Sequence, residues 1–174
     1  MAATAHAALL SLIDFTEIGC VTEQDRIGAP PLCRPDEADG TLLDVLPHGS
    51  CEGRYARRGE LDWVFDMLLG LDWRLYGVVD NGEPAPDASL FGSGPVWMVL
   101  ASEDRAVSLN VTEDGIASMR TGCGLQSAEA MLLNAGGSNR AFLLQPPETP
   151  RAQGLPKRDG GEAATTRPAR RSPA

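Results

Sequence analysis

The chain has 174 residues, of which 24 are acidic and 15 basic, for a formal net charge of −9. Hydrophobic residues at 43% supply material for a core and exclude a wholly disordered chain. The acidic balance argues against a nucleic-acid binder, and no apolar run approaches the ~18 residues that a membrane-spanning helix needs.

In chain order, residues 5–15 predict a helix, with Thr4 as its cap and Ala8, Leu9, Leu12 and Ile13 at helical spacing. Residues 19–40 are dense in Gly, Pro and Asp and read as loop, ending at the Asp39-Gly40 turn signal. Residues 41–46 form an apolar run suited to a strand, and 51–57 suit a second. Residues 60–69 return to helix: Leu61, Val64, Phe65 and Leu68 follow the i, i+3, i+4, i+7 pattern, and Gly70 stands where the helix should stop. Residues 73–79 read as a strand halted by Asp80-Asn81-Gly82, and 96–100 as a continuous apolar strand. Val107, Leu109 and Val111 alternate with Ser108, Asn110 and Thr112, which predicts a half-buried strand with a polar outer face. Asp114-Gly115 then turns the chain into a hairpin partner at 116–120, and a short helix over 127–134 opens on a capping serine. With no regular strand–helix alternation, the expected class is α+β: a curved, mostly antiparallel sheet packed by two or three helices.

The charge divides unevenly. Residues 1–144 carry 9 basic and 21 acidic side chains, net −12, whereas 145–174 carry 6 basic and 3 acidic ones, net +3. The final thirty residues also hold six of the thirteen prolines and, among large apolar residues, only Leu155. So little apolar surface cannot offset the entropy of ordering, and the expected organisation is one domain over 1–144 followed by a disordered tail over 145–174. Lys157, Arg158, Arg167, Arg170 and Arg171 give that tail a second reading as a weak contact for something acidic. One lysine against fourteen arginines is what a GC-rich coding sequence produces, and points to a bacterial source. Met1 to His6 contains no basic stretch before the short apolar run, so no export signal is evident and cytoplasmic residence is the expectation, subject to where the natural chain begins.

Four cysteines leave several states open. Cys20, Cys33, Cys51 and Cys123 suit buried free thiols, a Cys20–Cys33 bridge across the 21–32 loop, or a metal or catalytic role. Cys20, Cys33, His48 and Cys51 have the chemistry of a tetrahedral zinc set, although only the last two have close spacing. His48 is the better of two histidines as a catalytic base: it lies in the Pro47-His48-Gly49 turn, three residues from a thiol, with a side chain that titrates near neutrality. Cys123, in Gly122-Cys123-Gly124 before a helix start, is a candidate nucleophile because helix amides stabilise a thiolate. Against both stand a polar turn residue and a cysteine packed at a tight turn. Asp62 and Asp66 lie one turn apart but flank the buried stripe, with Arg58 placed as a solvated partner for Asp62. No phosphate loop or dinucleotide fingerprint is present, so no cofactor is expected. Asn110-Val111-Thr112 matches a glycosylation triplet inside a predicted strand.

The order helix, two strands, helix, four strands resembles the curved-sheet cone of NTF2-like (cystatin-related) proteins, over about residues 5–121. That resemblance implies a pocket between the concave sheet face and the helices, lined by Phe65, Trp73, Tyr76, Trp97 and Met98. The plainer account is that these large residues fill the core. The expected function is a noncatalytic module binding a small apolar ligand or a protein partner, with homodimerisation through an open sheet face as a further option. The competing reading is a cofactor-free isomerase or dehydratase using His48 and a pocket carboxylate.

Overall fold

The computed structural model describes residues 2–25, 28–49, 54–82, 94–121, 127–135 and 140–147. Helix α1 (Ala2–Leu10) leads into strand β1 (Thr16–Gly19), then β2 (Leu42–Gly49) and β3 (Arg54–Arg57). A 3-10 turn (Arg58–Glu60) and helix α2 (Asp62–Leu69) precede β4 (Arg74–Asp80), β5 (Val96–Ala101), β6 (Ala106–Val111) and β7 (Ile116–Thr121). Helix α3 (Ala128–Asn134) and β8 (Ala141–Leu144) complete the described elements. The chain is therefore α+β, and its described residues form three helices on one open sheet of eight strands, ordered β1-β2-β7-β6-β5-β4-β8 with β3 beside β2. All pairings are antiparallel except β2 with β7.

Strand alternation divides the core into two clusters, one on each face. Met98 and Leu100 of β5 turn toward Leu46, Leu61, Val64, Phe65 and Met119 beneath α2, while Val99 turns the opposite way to meet Val79, Met131 and Leu132 beneath α3. Gly77 serves that second contact, because a Cβ there would strike the Leu132 side chain. Among the residues of the helical pattern Leu61, Val64 and Phe65 are buried, as the period predicts, and Gly70 caps the helix through its backbone N–H to Asp66. Ser127 caps α3, its Oγ accepting from the Ala130 N–H at 3.1 Å.

Several local expectations need correction. Thr4 caps nothing, because α1 begins at Ala2 and ends at Leu10; Leu12 and Ile13 leave the helix and exchange backbone bonds with Ile116 and its neighbourhood on β7. β1 and β8, each four residues long, are too short to show a strand period. β2 continues through Pro47 and His48 in place of a turn. Pro47 lies opposite Tyr55 of β3 on one edge, while on the other edge β1 pairing ends at Val45 and β7 pairing starts only at His48, which leaves a gap in the ladder where a residue without an N–H is tolerated.

The largest correction concerns β6. Its supposed outer face is buried: Asn110 is 0% exposed, and Ser108 and Ser118 are buried beside it in register. A helix, α3, packs over β4, β5 and β6 on that face. Asn110 matches both groups of one backbone residue, its Oδ1 accepting from the Gly94 N–H and its Nδ2 donating to the Gly94 carbonyl, each at 2.7 Å. An asparagine so enclosed is closed to glycosylation in the folded chain. Arg58 also departs from expectation, since it pairs with Asp44 at 3.0 Å and lies over the Phe15 ring rather than reaching Asp62.

Candidate functional site: a cleft under a disulfide-closed loop

The 20–41 connection between β1 and β2 is long for a hairpin, and its own bonds make it a defined wall. At its base the Cys20 N–H donates to Thr41 O at 2.9 Å and the Gly40 N–H to Cys20 O at 2.8 Å; Gly40 supplies the φ of +81° that this turn requires. Cys20 and Cys33 form a disulfide with Cα atoms 5.0 Å apart. On either side of it the Val21 N–H donates to Pro31 O, and the Cys33 N–H donates to Val21 O. Gln24 Nε2 closes the tip by donating to Pro30 O at 2.8 Å.

Strand β3 supplies the opposing wall. Ala56 turns into the core, which sends Arg57 toward the loop. There Arg57 makes a two-point contact with Glu37, at 2.6 and 2.9 Å, and donates to the Leu32 carbonyl. Its side chain is only 12% exposed, and its guanidinium holds the Glu37 carboxyl below the usual carboxylate range. Arg34 adds a more exposed strap to Glu60 in the 3-10 turn at 2.7 Å. Between loop and strand lies a cleft of about 900 Å³. Pro31, Leu32 and Arg34 line one side, and Arg54, Tyr55 and Arg57 the other. Burial raises the Tyr55 phenol above its ordinary pKa, so it stays protonated at neutral pH.

The sequence-derived candidates lie elsewhere. Phe65, Trp73 and Met98 belong to the cluster under α2, whereas Tyr76 packs in the cluster under α3 and Trp97 is buried on that same face between Val79 and Asn110 in register. The sheet thus separates Phe65, Trp73 and Met98 from Tyr76 and Trp97. Both indole Nε1 atoms, of Trp73 and Trp97, are buried without a hydrogen-bond partner. Tyr76 also lines a second cleft of about 660 Å³, with Arg74, Leu75 and Glu103.

His48 sits half-buried on β2, its ring edge-on to Trp63 at 5.0 Å and opposite Arg54 in register. Desolvation, and secondarily the Arg54 charge, push its pKa below the ordinary value. Among the described residues no carboxylate pairs with it. The other histidine is clasped: His6 of α1 lies 3.4 Å from Asp62 and 3.1 Å from Asp66, with its ring tilted against Phe65. Those two carboxylates therefore bind α1 to the outside of α2. The disulfide removes Cys20 and Cys33 from the zinc set, and no metal-holding group of three or more such side chains occurs among the described residues. Cys51 and Cys123 lie outside the described residues, as does the tail from 148 onward.

Sequence reasoning missed the cleft because its walls come from segments 20–35 and 54–60, which no spacing rule connects. The available signals were separate: a Pro-rich loop bracketed by cysteines, and Arg54, Arg57 and Arg58 close together. No family model, curated protein or solved structure matches the chain, so the functional reading stands on this geometry. Among the described residues no helix is long and apolar enough to cross a membrane.

Proposed function

We propose that the protein is a noncatalytic binding module whose recognition site is the cleft between the disulfide-closed loop and β3. The observation that carries this reading is a wall fixed twice over, by Cys20–Cys33 and by the buried Arg57 clamp, around about 900 Å³ of open space. A volume of that size suits a small molecule or a short chain segment, and a preformed wall reduces the ordering cost of binding. The acid/base alternative finds less support, since His48 packs edge-on against Trp63 without a carboxylate partner among the described residues. The likeness in element order to NTF2-like proteins agrees with a binding role and adds no residue to the site.

The disulfide also bears on compartment. Cytosolic thiols are kept reduced, so the Cys20–Cys33 bond favours an oxidising compartment over the cytoplasmic expectation. Trapping thiols with N-ethylmaleimide during cell lysis tests this: two unmodified cysteines in the 20–33 peptide support it, and full alkylation refutes it.

The binding reading is tested by titrating isotope-labelled full-length chain with a mixed set of neutral, cationic and anionic fragments. Amide shifts concentrated at Leu32, Arg34 and Tyr55 support the site. Shifts confined to the Arg74–Glu103 cleft, or absent throughout, refute it.

A further inference from the structure

We propose that the second cleft, of about 660 Å³ at the start of β4, is the docking site of this chain's own C-terminal segment, residues 148–158. β8 runs antiparallel to β4 and pairs with it only from Val78 to Asp80. Among the described residues, Arg74 to Gly77 therefore have no strand beside them on that edge. Past Leu144, the direction of β8 carries the chain along this open edge, and Pro147, where the described residues end, lines the cleft with Leu75, Tyr76 and Glu103. Proline has no N–H and a fixed φ, so Pro146 and Pro147 cannot extend the ladder and hold the exit extended. The segment that follows thus starts in the wall of the cleft.

The chemistry of the two parts matches. Leu75, opposite Leu100, and Leu144, opposite Val78, lie on the sheet face that α2 covers elsewhere. Both are left open there, at 46% and 42% exposed, while α3 packs on β4 from the other side. Leu155 is the one large apolar residue of 145–174 and stands eight positions beyond Pro147. Fully extended, that stretch spans roughly 26–29 Å. Asp72 and Glu103 line the cleft against Arg74, and the segment brings Arg151, Lys157 and Arg158 against Glu148. Exposed ion pairs of this kind are individually weak. A short tether, however, holds an attached segment at roughly millimolar effective concentration, so a contact too weak to hold a free peptide is populated in the intact chain. A second copy is the poorer occupant, because bodies of net charge −12 over residues 1–144 repel one another.

The test compares the isotope-labelled full-length chain, at low salt, with two full-length variants: Leu155→Asp, and the charge reversal Arg151→Glu/Lys157→Glu/Arg158→Glu. Both are altered only outside the described residues, so the folded body is the same in all three. In the native chain the Leu155 methyl groups should show cross-relaxation with those of Leu75 or Leu144. Each variant should shift the Leu75, Tyr76 and Glu103 amides and leave those of β6 unmoved. Sodium chloride at ~0.5 M should move the same cleft amides of the native chain in the direction of the charge reversal. Cleft amides unmoved by either variant would overturn the proposal. Cleft amides that move on tenfold dilution and ignore both variants would overturn it and give the face to a second copy. Neither result touches the cleft under the disulfide-closed loop, which the fragment titration decides separately.

Discussion

Removing the Cys20–Cys33 bond gives a stability change that can be worked from the structure. The two residues are 13 apart in sequence. A cross-link closing a loop of that length removes about 3 kcal/mol of chain entropy from the unfolded state. For a folded unit of this size, about 3 kcal/mol corresponds to a fall in melting temperature of roughly 6–12 °C. The Cys20→Ala/Cys33→Ala double variant should show that fall by scanning calorimetry, as should the native chain treated with a phosphine reductant. The double variant should then be indifferent to the reductant, which separates this bond from any contribution of Cys51 or Cys123. The native base of the loop is held independently, by Cys20 to Thr41 and Gly40 to Cys20 backbone bonds, so the fold should persist while the cleft wall loosens. Hydrogen exchange should accordingly rise over residues 21–35 and stay unchanged in β5 and β6. A melting temperature moved by less than about 2 °C on clean reduction would refute the entropic account.

Asn110→Ala should cost about 2–4 kcal/mol in urea unfolding, because the Gly94 N–H and carbonyl both lose their partner in a buried site; a cost below about 0.5 kcal/mol would refute the assigned pairing. His48 is held with a depressed pKa, so the unfolded chain binds the extra proton first and its contribution to stability is lost as pH falls through about 6.5 toward the folded-state value. His48→Gln should therefore flatten the stability profile between about pH 7 and 5, and an unchanged slope would show that the imidazole is not desolvated against Trp63. Arg57→Ala should raise hydrogen exchange at Cys33 and Glu37 and move the Glu37 carboxyl up toward the ordinary carboxylate range, with the Arg34 backbone N–H still holding it down in part, read by NMR titration; an unmoved Glu37 titration would remove the clamp from the account.

Much of the fold was legible because it repeats along the chain. The α2 stripe of Leu61, Val64 and Phe65 has helical period, the apolar run at Val96–Ala101 is a strand whichever face it buries, and Ser127 and Gly70 mark helix ends through local backbone chemistry. What sequence alone left undecided depends on contacts between distant segments. Asn110 and Ser108 alternate like solvent-facing residues, and only the packing of α3 over β6 makes that face interior. His48 reads as a turn residue until the gap between β1 and β7 allows Pro47 to remain in a strand. The cleft belongs to the same class: Arg34 and Arg57 sit far apart in the chain, and it is the disulfide-closed loop folding back on β3 that brings them, with their partners Glu60 and Glu37, to one site. Periodicity records which neighbours a residue has along the chain, whereas charge convergence and burial are fixed by which segments meet.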